Sequence, residues 1–162
     1  MRRKDVKTII AYFYGIPAMW RMLADEQAEL EDEYNGLRGT SYDGMPHSST
    51  PGKPVDELAE RAVAGNVWGK LEAVAVRLHV LEADREKIQD CMNAINSEYT
   101  RIIFYRYRDK YSWVKIAVML GVTERTAKRR GEKALDRLGE ALEEVSMPDE
   151  ILGRASRARI EV

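Results

Sequence analysis

The chain has 162 residues, 44% hydrophobic and 33% charged, so it has enough apolar residues for a folded core and does not resemble a disordered tail. The formal net charge of -1 conceals an uneven distribution, because residues 101–133 contain 10 basic and 3 acidic side chains. Residues 1–100 contain 12 basic and 17 acidic side chains, and residues 134–162 contain 4 and 7. A basic segment between acidic ones indicates a polyanionic partner.

The residue types argue against several classes of protein. One cysteine, Cys91, excludes an internal disulfide and a zinc module with several cysteines. His47 and His79 lie 32 positions apart and form no metal-binding pair. No apolar run reaches the ~18 residues that a membrane-spanning helix needs. We expect a cytoplasmic protein that has no metal, no cofactor and no membrane association.

The N-terminal part carries a helical apolar pattern. Large residues recur at alternating steps of four and three, with Gln27 as the polar interruption, and they are Ile9, Phe13, Ile16, Trp20, Leu23, Leu30, Tyr34 and Leu37. This is the a/d pattern of a coiled coil. Pro17 lies inside it, so either the helix kinks there or a short first helix ends near Gly15.

Residues 35–54 change character, because Gly, Pro, Ser and Thr fill 12 of the 20 positions. This composition predicts a loop, and we expect it to be the most mobile interior segment. A loop of this length in a compact domain is either a flexible connector or a binding loop, and the connector is the simpler interpretation.

A second long helix is predicted after Pro54. Its heptad residues, with Arg85 as the polar interruption, are Val67, Leu71, Val74, Leu78, Leu81, Ile88, Met92 and Ile95. Together the two patterns predict a coiled-coil-like antiparallel hairpin over residues 1–95. The seam could also pair with a second subunit, and we expect a homo-oligomer, most simply a dimer.

The segment after Asn96 predicts three short helices with defined caps. Asn96 or Ser97 caps a helix that runs from Glu98 to about Asp109, and Ser112 caps a helix over residues 113–120. Gly121 and Val122 form a tight turn, after which Thr123 caps the third helix. That helix has an inward stripe of mostly small residues, namely Ala127, Gly131, Ala134 and Leu138.

Helix, glycine-containing turn and basic helix together predict a helix-turn-helix domain over residues 96–145, followed by a C-terminal tail over residues 146–162. We expect Arg125, Lys128 and Arg129 to reach bases in the major groove of double-stranded DNA, and residues farther along or on the preceding helix to bind phosphates. The predicted interface comprises Lys115, Thr123, Glu124, Arg125, Thr126, Lys128, Arg129, Arg130 and Lys133.

Residues 111–127 resemble region 4 of sigma factors, in which Ser-Trp-Glu-Glu-Ile-Ala is followed by Leu-Gly-Val-Ser and Thr-Val. The matching segments here are Tyr111-Ser112-Trp113-Val114-Lys115-Ile116-Ala117 and Leu120-Gly121-Val122-Thr123-Glu124-Arg125-Thr126-Ala127. Among the departures from the pattern, Lys115 replaces an acid, Thr123 a serine and Ala127 a valine. With Lys115 at this position, any contact that the acid makes in sigma factors is lost.

The wider layout resembles phage-encoded transcriptional regulators of the ArpU/RinA type. The resemblance rests on the helical N-terminal half, Asp43-Gly44-Met45-Pro46, a long charged helix, Asn96-Ser97-Glu98-Tyr99 and Tyr105-Arg106-Tyr107. It implies regulation of late phage or prophage genes, with promoter DNA as one partner and host RNA polymerase as another. No sigma region 2 is present, so we do not expect this chain to melt promoters alone.

Two other functions fit an all-α protein of this kind. A phage small terminase subunit also joins a helix-turn-helix to oligomerisation helices, although the DNA-binding element usually comes first. A coiled-coil interaction module without DNA binding is the other alternative. We expect no enzymatic activity, because the sequence has no Gly-rich phosphate loop, no His/Cys pair and no nucleophile elbow. The acids at residues 25–33 are expected to form a solvated face.

Overall fold

The computed structural model describes residues 1–39, 54–145 and 148–158, and these residues form helices and short connections without a strand. This confirms the predicted all-α fold. The elements are α1 (Arg3–Gly39), α2 (Pro54–Ala94), α3 (Ser97–Ile103), a π-helical segment (Phe104–Arg108), α4 (Trp113–Leu120), α5 (Glu124–Glu143) and α6 (Pro148–Ala158).

The two long helices are more continuous than the sequence requires. Pro17 lies inside α1, which does not end near Gly15, and α2 is an unbroken helix of 41 residues. The predicted loop begins later than expected, because α1 continues over residues 35–39; adding a residue to an existing helix avoids the cost of nucleation. Residues 40–53, and with them the prediction of a mobile loop, lie outside the described residues.

The chain divides into two compact units, and the divisions fall after Pro17 and after Leu81. The helix-turn-helix unit consists of Met1–Pro17 and Glu82–Val162, and the hairpin unit consists of Ala18–Leu81. The predicted boundaries at residues 95/96 and 145/146 do not coincide with these divisions. The difference has a physical cause: the first turns of α1 and the last turns of α2 bury their apolar residues within the helix-turn-helix unit, including Val6, Ile9, Ile10, Ile88 and Met92.

The hairpin unit has a core formed by the predicted heptad residues. Leu30, Val67 and Val74 are buried, and the half-buried residues packed against them are Leu23, Tyr34, Leu71 and Leu78. Within this unit the seam therefore closes between α1 and α2. The predicted dimer can no longer be argued from an open seam, and it stays a prediction.

Within residues 146–162, for which the sequence predicts a C-terminal tail, residues 148–158 form α6. Ile151 and Ala155 are one helical turn apart and buried, so this short helix has an apolar face that packs within its unit. Arg154 lies between them in sequence and forms an ion pair with Asp84 of α2. The pairing depends on residues that are 70 positions apart, which the sequence pattern does not reveal.

Asp84 is a buried carboxylate, 1% exposed, in the helix-turn-helix unit. Arg154 donates from Nε to Oδ2 and from Nη2 to Oδ1, both at 2.7 Å. The hydroxyl of Tyr12 donates to Oδ2 at 2.9 Å. Three donors thus compensate the charge at its buried position, as a carboxylate away from water requires.

Candidate nucleic-acid interface

The helix-turn-helix is formed by α4, a three-residue turn and α5, and its caps are those that the sequence predicts. Ser112 Oγ accepts a hydrogen bond from the backbone N–H of Lys115 at 3.3 Å. Gly121 ends α4 with a positive φ of 63°, and Thr123 Oγ1 accepts from the N–H of Thr126 at 3.3 Å. Asn96 likewise caps α3 by accepting from the N–H of Glu98. These local bonds fix where each helix begins and ends.

The inner side of the motif is a small apolar core. Ile116, Ala117 and Ala127 are buried there, and Leu120 and Val122 are among the residues packed against them. The predicted inward stripe of α5 is confirmed, because Ala127, Gly131, Ala134 and Leu138 are all buried. Small residues on this stripe allow α5 to approach its neighbours closely, and the opposite side of the helix is left to solvent.

The segment before α4 supports the motif from one side. The guanidinium of Arg106 lies over the Trp113 ring, 5.4 Å from its centroid, and donates to the carbonyl oxygen of Tyr111 at 2.9 Å. The rings of Tyr105 and Tyr111 stack with centroids 5.9 Å apart. Arg106 is half-buried and therefore acts in packing.

Three predicted interface residues are exposed cations without a partner among the residues that the structure describes. Arg125, Arg129 and Lys133 follow one another at steps of four along α5. Within the part of the chain that the structure describes, none of them forms an ion pair, a hydrogen bond or a ring contact. Eight residues of helix span about 12 Å, so their charges form a row of that length on the outer side of α5.

Other predicted interface residues have partners within the protein. Lys128 Nζ lies 2.6 Å from Glu124 Oε1, one helical turn away. Arg130 is half-buried and forms an ion pair with Glu98 of α3, and Lys115 Nζ lies 3.5 Å from the centroid of the Tyr111 ring. Arg130 therefore joins α5 to α3, a role that differs from the free phosphate contact expected of it.

The two threonines have a mainly structural position. Thr123 caps α5, and its Oγ1 lies 2.9 Å from Oγ1 of Thr126, which is half-buried. Both stand at the exposed N-terminal end of α5 beside Glu124 and Arg125. The nine predicted residues are thus close together on α4, the turn and the first three turns of α5, but only three of them are unpartnered cations.

One cation beside this surface comes from a distant part of the sequence. Arg3 of α1 donates to Asp136 from Nε at 2.6 Å and from Nη2 at 2.7 Å, and its Nη1 lies 3.3 Å from Glu132. The bidentate bond from Arg3 lowers the pKa of Asp136 below its ordinary value. Arg3 thus offsets two acids of α5. The sequence contains no pattern that links residues 133 positions apart.

No group of three or more His, Cys, Asp or Glu side chains in residues 1–39, 54–145 and 148–158 could hold a metal ion. The acids at residues 25–33 are all exposed, as expected of a solvated face. Of the helices in the described ranges, not one is both long enough and apolar enough to cross a membrane.

Comparison with known protein families gives a match over part of the chain. A family model described as a protein of unknown function (DUF722) matches residues 70–140. The matched segment begins in α2 and ends in α5, so the similarity includes α3, the π-helical segment, α4, the turn and α5 as far as residue 140. No curated protein and no solved structure matches the chain.

Proposed function

We propose that this chain is a sequence-specific double-stranded DNA-binding transcriptional regulator that reads the major groove with α5. The observation that carries the proposal is the row formed by Arg125, Arg129 and Lys133, which are exposed and unpartnered on the outer side of a helix-turn-helix. Unpartnered cations can bind phosphates and base edges without first breaking an ion pair. The short, capped α4 and the tight turn leave this side of α5 open.

The expected role of each cation in DNA binding follows from its position along α5. Arg125 and Arg129 lie in the first two turns, where side chains of such a motif reach base edges, and an arginine can donate two hydrogen bonds to guanine. Lys133 lies farther along and is suited to a phosphate, which fixes register without reading sequence. Lys128 has to break its ion pair with Glu124 before it can contribute fully to DNA binding.

The biological role rests on the resemblance to ArpU/RinA-type regulators. We propose late phage or prophage genes as the targets, with host RNA polymerase as a further partner of the bound protein and a homodimer as the active form. In the alternative role, that of a small terminase subunit, the protein would form a ring and bind packaging sites. Footprints on the late-promoter region would support regulation and oppose that role.

The experiment is a titration of the full chain with duplex DNA. The specific duplex comes from repeated selection of a randomised library, and a scrambled duplex of equal composition is the reference. Arg125→Ala or Arg129→Ala should cost about 1–3 kcal/mol of binding free energy on the selected duplex. Either change should also reduce the difference in affinity between the selected and the scrambled duplex. Lys133→Ala should weaken both duplexes alike and reduce the slope of log K against log salt by about one unit.

Arg137→Ala is the matched control. Arg137 is exposed on the same helix but pairs with Glu140 at 2.8 Å and lies beyond the first three turns. Its loss should leave both affinities close to those of the wild type. If the wild type binds no DNA, or if all three test variants bind like Arg137→Ala, the proposal is wrong and an interaction module without DNA binding becomes the better assignment.

A further inference from the structure

The hairpin unit has a groove beside the seam between α1 and α2, and none of its lining residues belongs to the proposed DNA interface. Side chains from both helices line it. Those that matter for its chemistry are Gln27, Glu31 and Tyr34 of α1 and Trp68, Leu71 and Glu72 of α2. Its floor is apolar and aromatic, and its rims carry acids, so the surface combines two properties that a solvated helix pair does not need.

Trp68 is the most exposed aromatic side chain of this groove. It remains 57% exposed, although its ring contacts that of Tyr34 with centroids 5.6 Å apart. On the other side of Trp68 lies a second depression, lined by Ala64 and Gly65, and a Cβ atom on Gly65 would meet nothing within 4 Å. The accessible surface thus follows α2 from Gly65 to Ala75, a length of about 15 Å.

A second tryptophan extends the apolar side of α1. Trp20 is 48% exposed and precedes Gln27 by seven residues, two helical turns, as Gln27 precedes Tyr34. Residues seven apart lie on the same side of a helix. An exposed tryptophan has a large apolar area and a polar N–H, a combination that is enriched where proteins bind one another.

Charge decides what can occupy the groove. Its charged lining residues, Glu31 and Glu72, are both exposed acids, and residues 18–36 with 62–81 contain seven acidic and three basic side chains. DNA and anionic lipid are repelled by such a surface. A second copy of the hairpin unit would bring acid against acid, which is unfavourable for pairing.

We infer that this groove binds an amphipathic helix of another protein, with apolar residues along one side and lysine or arginine on both flanks. The apolar side would cover Trp68 and Leu71, and the basic flanks would meet Glu31 and Glu72. Helix-in-groove recognition of this kind needs apolar anchors at steps of three and four. A 15 Å groove holds about ten helical residues.

The test uses the full chain and labelled helical peptides of about 14 residues with leucine at steps of three and four. One peptide has lysine on both flanks, and its twin has glutamate at the same positions. We expect the lysine peptide to bind and the glutamate twin not to bind. Trp68→Ala should weaken binding about tenfold, as the loss of an aromatic anchor does. Glu31→Gln with Glu72→Gln should weaken it about threefold at low salt and less at high salt.

Val76→Ala is the matched control, because Val76 is 58% exposed on α2 and does not line the groove. It should bind the lysine peptide like the wild type. The two glutamate substitutions leave the apolar packing intact, so they test the proposal even if Trp68→Ala perturbs the hairpin. Equal binding of both peptides, or wild-type binding by both groove variants, would overturn the inference. Self-association that Trp68→Ala abolishes would overturn it as well.

Discussion

The indole ring of Trp113 lies against the backbone of Gly131, so that a Cβ atom on residue 131 would be only 2.9 Å from Cζ3 of the ring. Trp113 begins α4 and Gly131 lies in α5, so the contact sets the separation of the two helices of the motif. Arg106 lies over the same ring and limits its freedom to move aside. The position of α5 thus depends on the absence of a single methyl group.

Gly131→Ala should therefore destabilise the protein by about 1–3 kcal/mol, because overpacking outweighs the gain of about 1 kcal/mol that alanine brings to a helix. Gly69→Ala is the control, since Gly69 lies within α2 and a Cβ atom there meets nothing within 4 Å. That change should stabilise by about 0.5–1 kcal/mol. Chemical unfolding measures both, and a gain in stability from Gly131→Ala would contradict the close contact.

Tyr12 and Tyr14 should respond in opposite ways to the same substitution. The Tyr14 hydroxyl is buried and has no hydrogen-bond partner among the described residues, so Tyr14→Phe should stabilise the protein by about 1 kcal/mol. The Tyr12 hydroxyl donates to buried Asp84, so Tyr12→Phe should cost about 1–3 kcal/mol. Unfolding at neutral pH measures the difference, and equal effects of the two changes would contradict this account.

The buried hydroxyl of Tyr14 should also make the protein less stable at alkaline pH. Burial raises the pKa of Tyr14 from 10.0 to about 12, so the folded protein holds this proton more tightly than the unfolded chain does. The stability that comes from this tighter proton binding is fully present below pH 10. It is lost as the pH rises from there towards the folded pKa. Tyr14→Phe should show a smaller decrease over that range. An unchanged pH profile in this variant would rule out the contribution.

Arg154→Met should lower the free energy of unfolding by about 3–5 kcal/mol, because it leaves the carboxylate of Asp84 buried without its cation. Arg157→Met, in the exposed last turn of α6, should change the free energy of unfolding by less than about 0.5 kcal/mol. Both substitutions remove one positive charge from the same helix. Chemical unfolding distinguishes them, and similar small effects would show that α6 does not depend on the ion pair.

If α5 binds DNA as proposed, Arg130 and Lys133 should differ in their contribution to the salt dependence. Lys133→Ala should lower the slope by about one unit, and Arg130→Ala by less, because Arg130 already pairs with Glu98. Glu98→Ala releases that arginine and should not reduce DNA affinity. The partly exposed pair itself contributes about 0.2–1 kcal/mol to stability. A decrease of a full unit in the slope of log K against log salt for Arg130→Ala would contradict the pairing of Arg130 with Glu98.

The features that could be predicted are those with local causes. Ser112, Gly121 and Thr123 act on the backbone within three residues, and the small stripe of α5 follows from helical spacing alone, so both were accessible from the sequence. Arg130, Asp84 and Arg3 have partners far away in the chain. Their charges predict exposure, and only the packed structure shows which oppositely charged groups neutralise them. The π-helical segment likewise has no distinct sequence pattern.

The bond between Arg3 and Asp136 also bears on how the protein is made. The helix-turn-helix unit contains residues 1–17, which are made before the rest of the unit, and their packing partners in α5 and α6 follow more than 100 residues later. At about 5–20 residues per second, the first turns of α1 are made about 5–20 s or more before α5 and α6. Contacts of such long sequence separation slow the final folding step. Val6, which lies beside Gly139 of α5 in the folded protein, therefore lacks this partner until α5 has been made, and chaperones can bind the nascent chain during that interval.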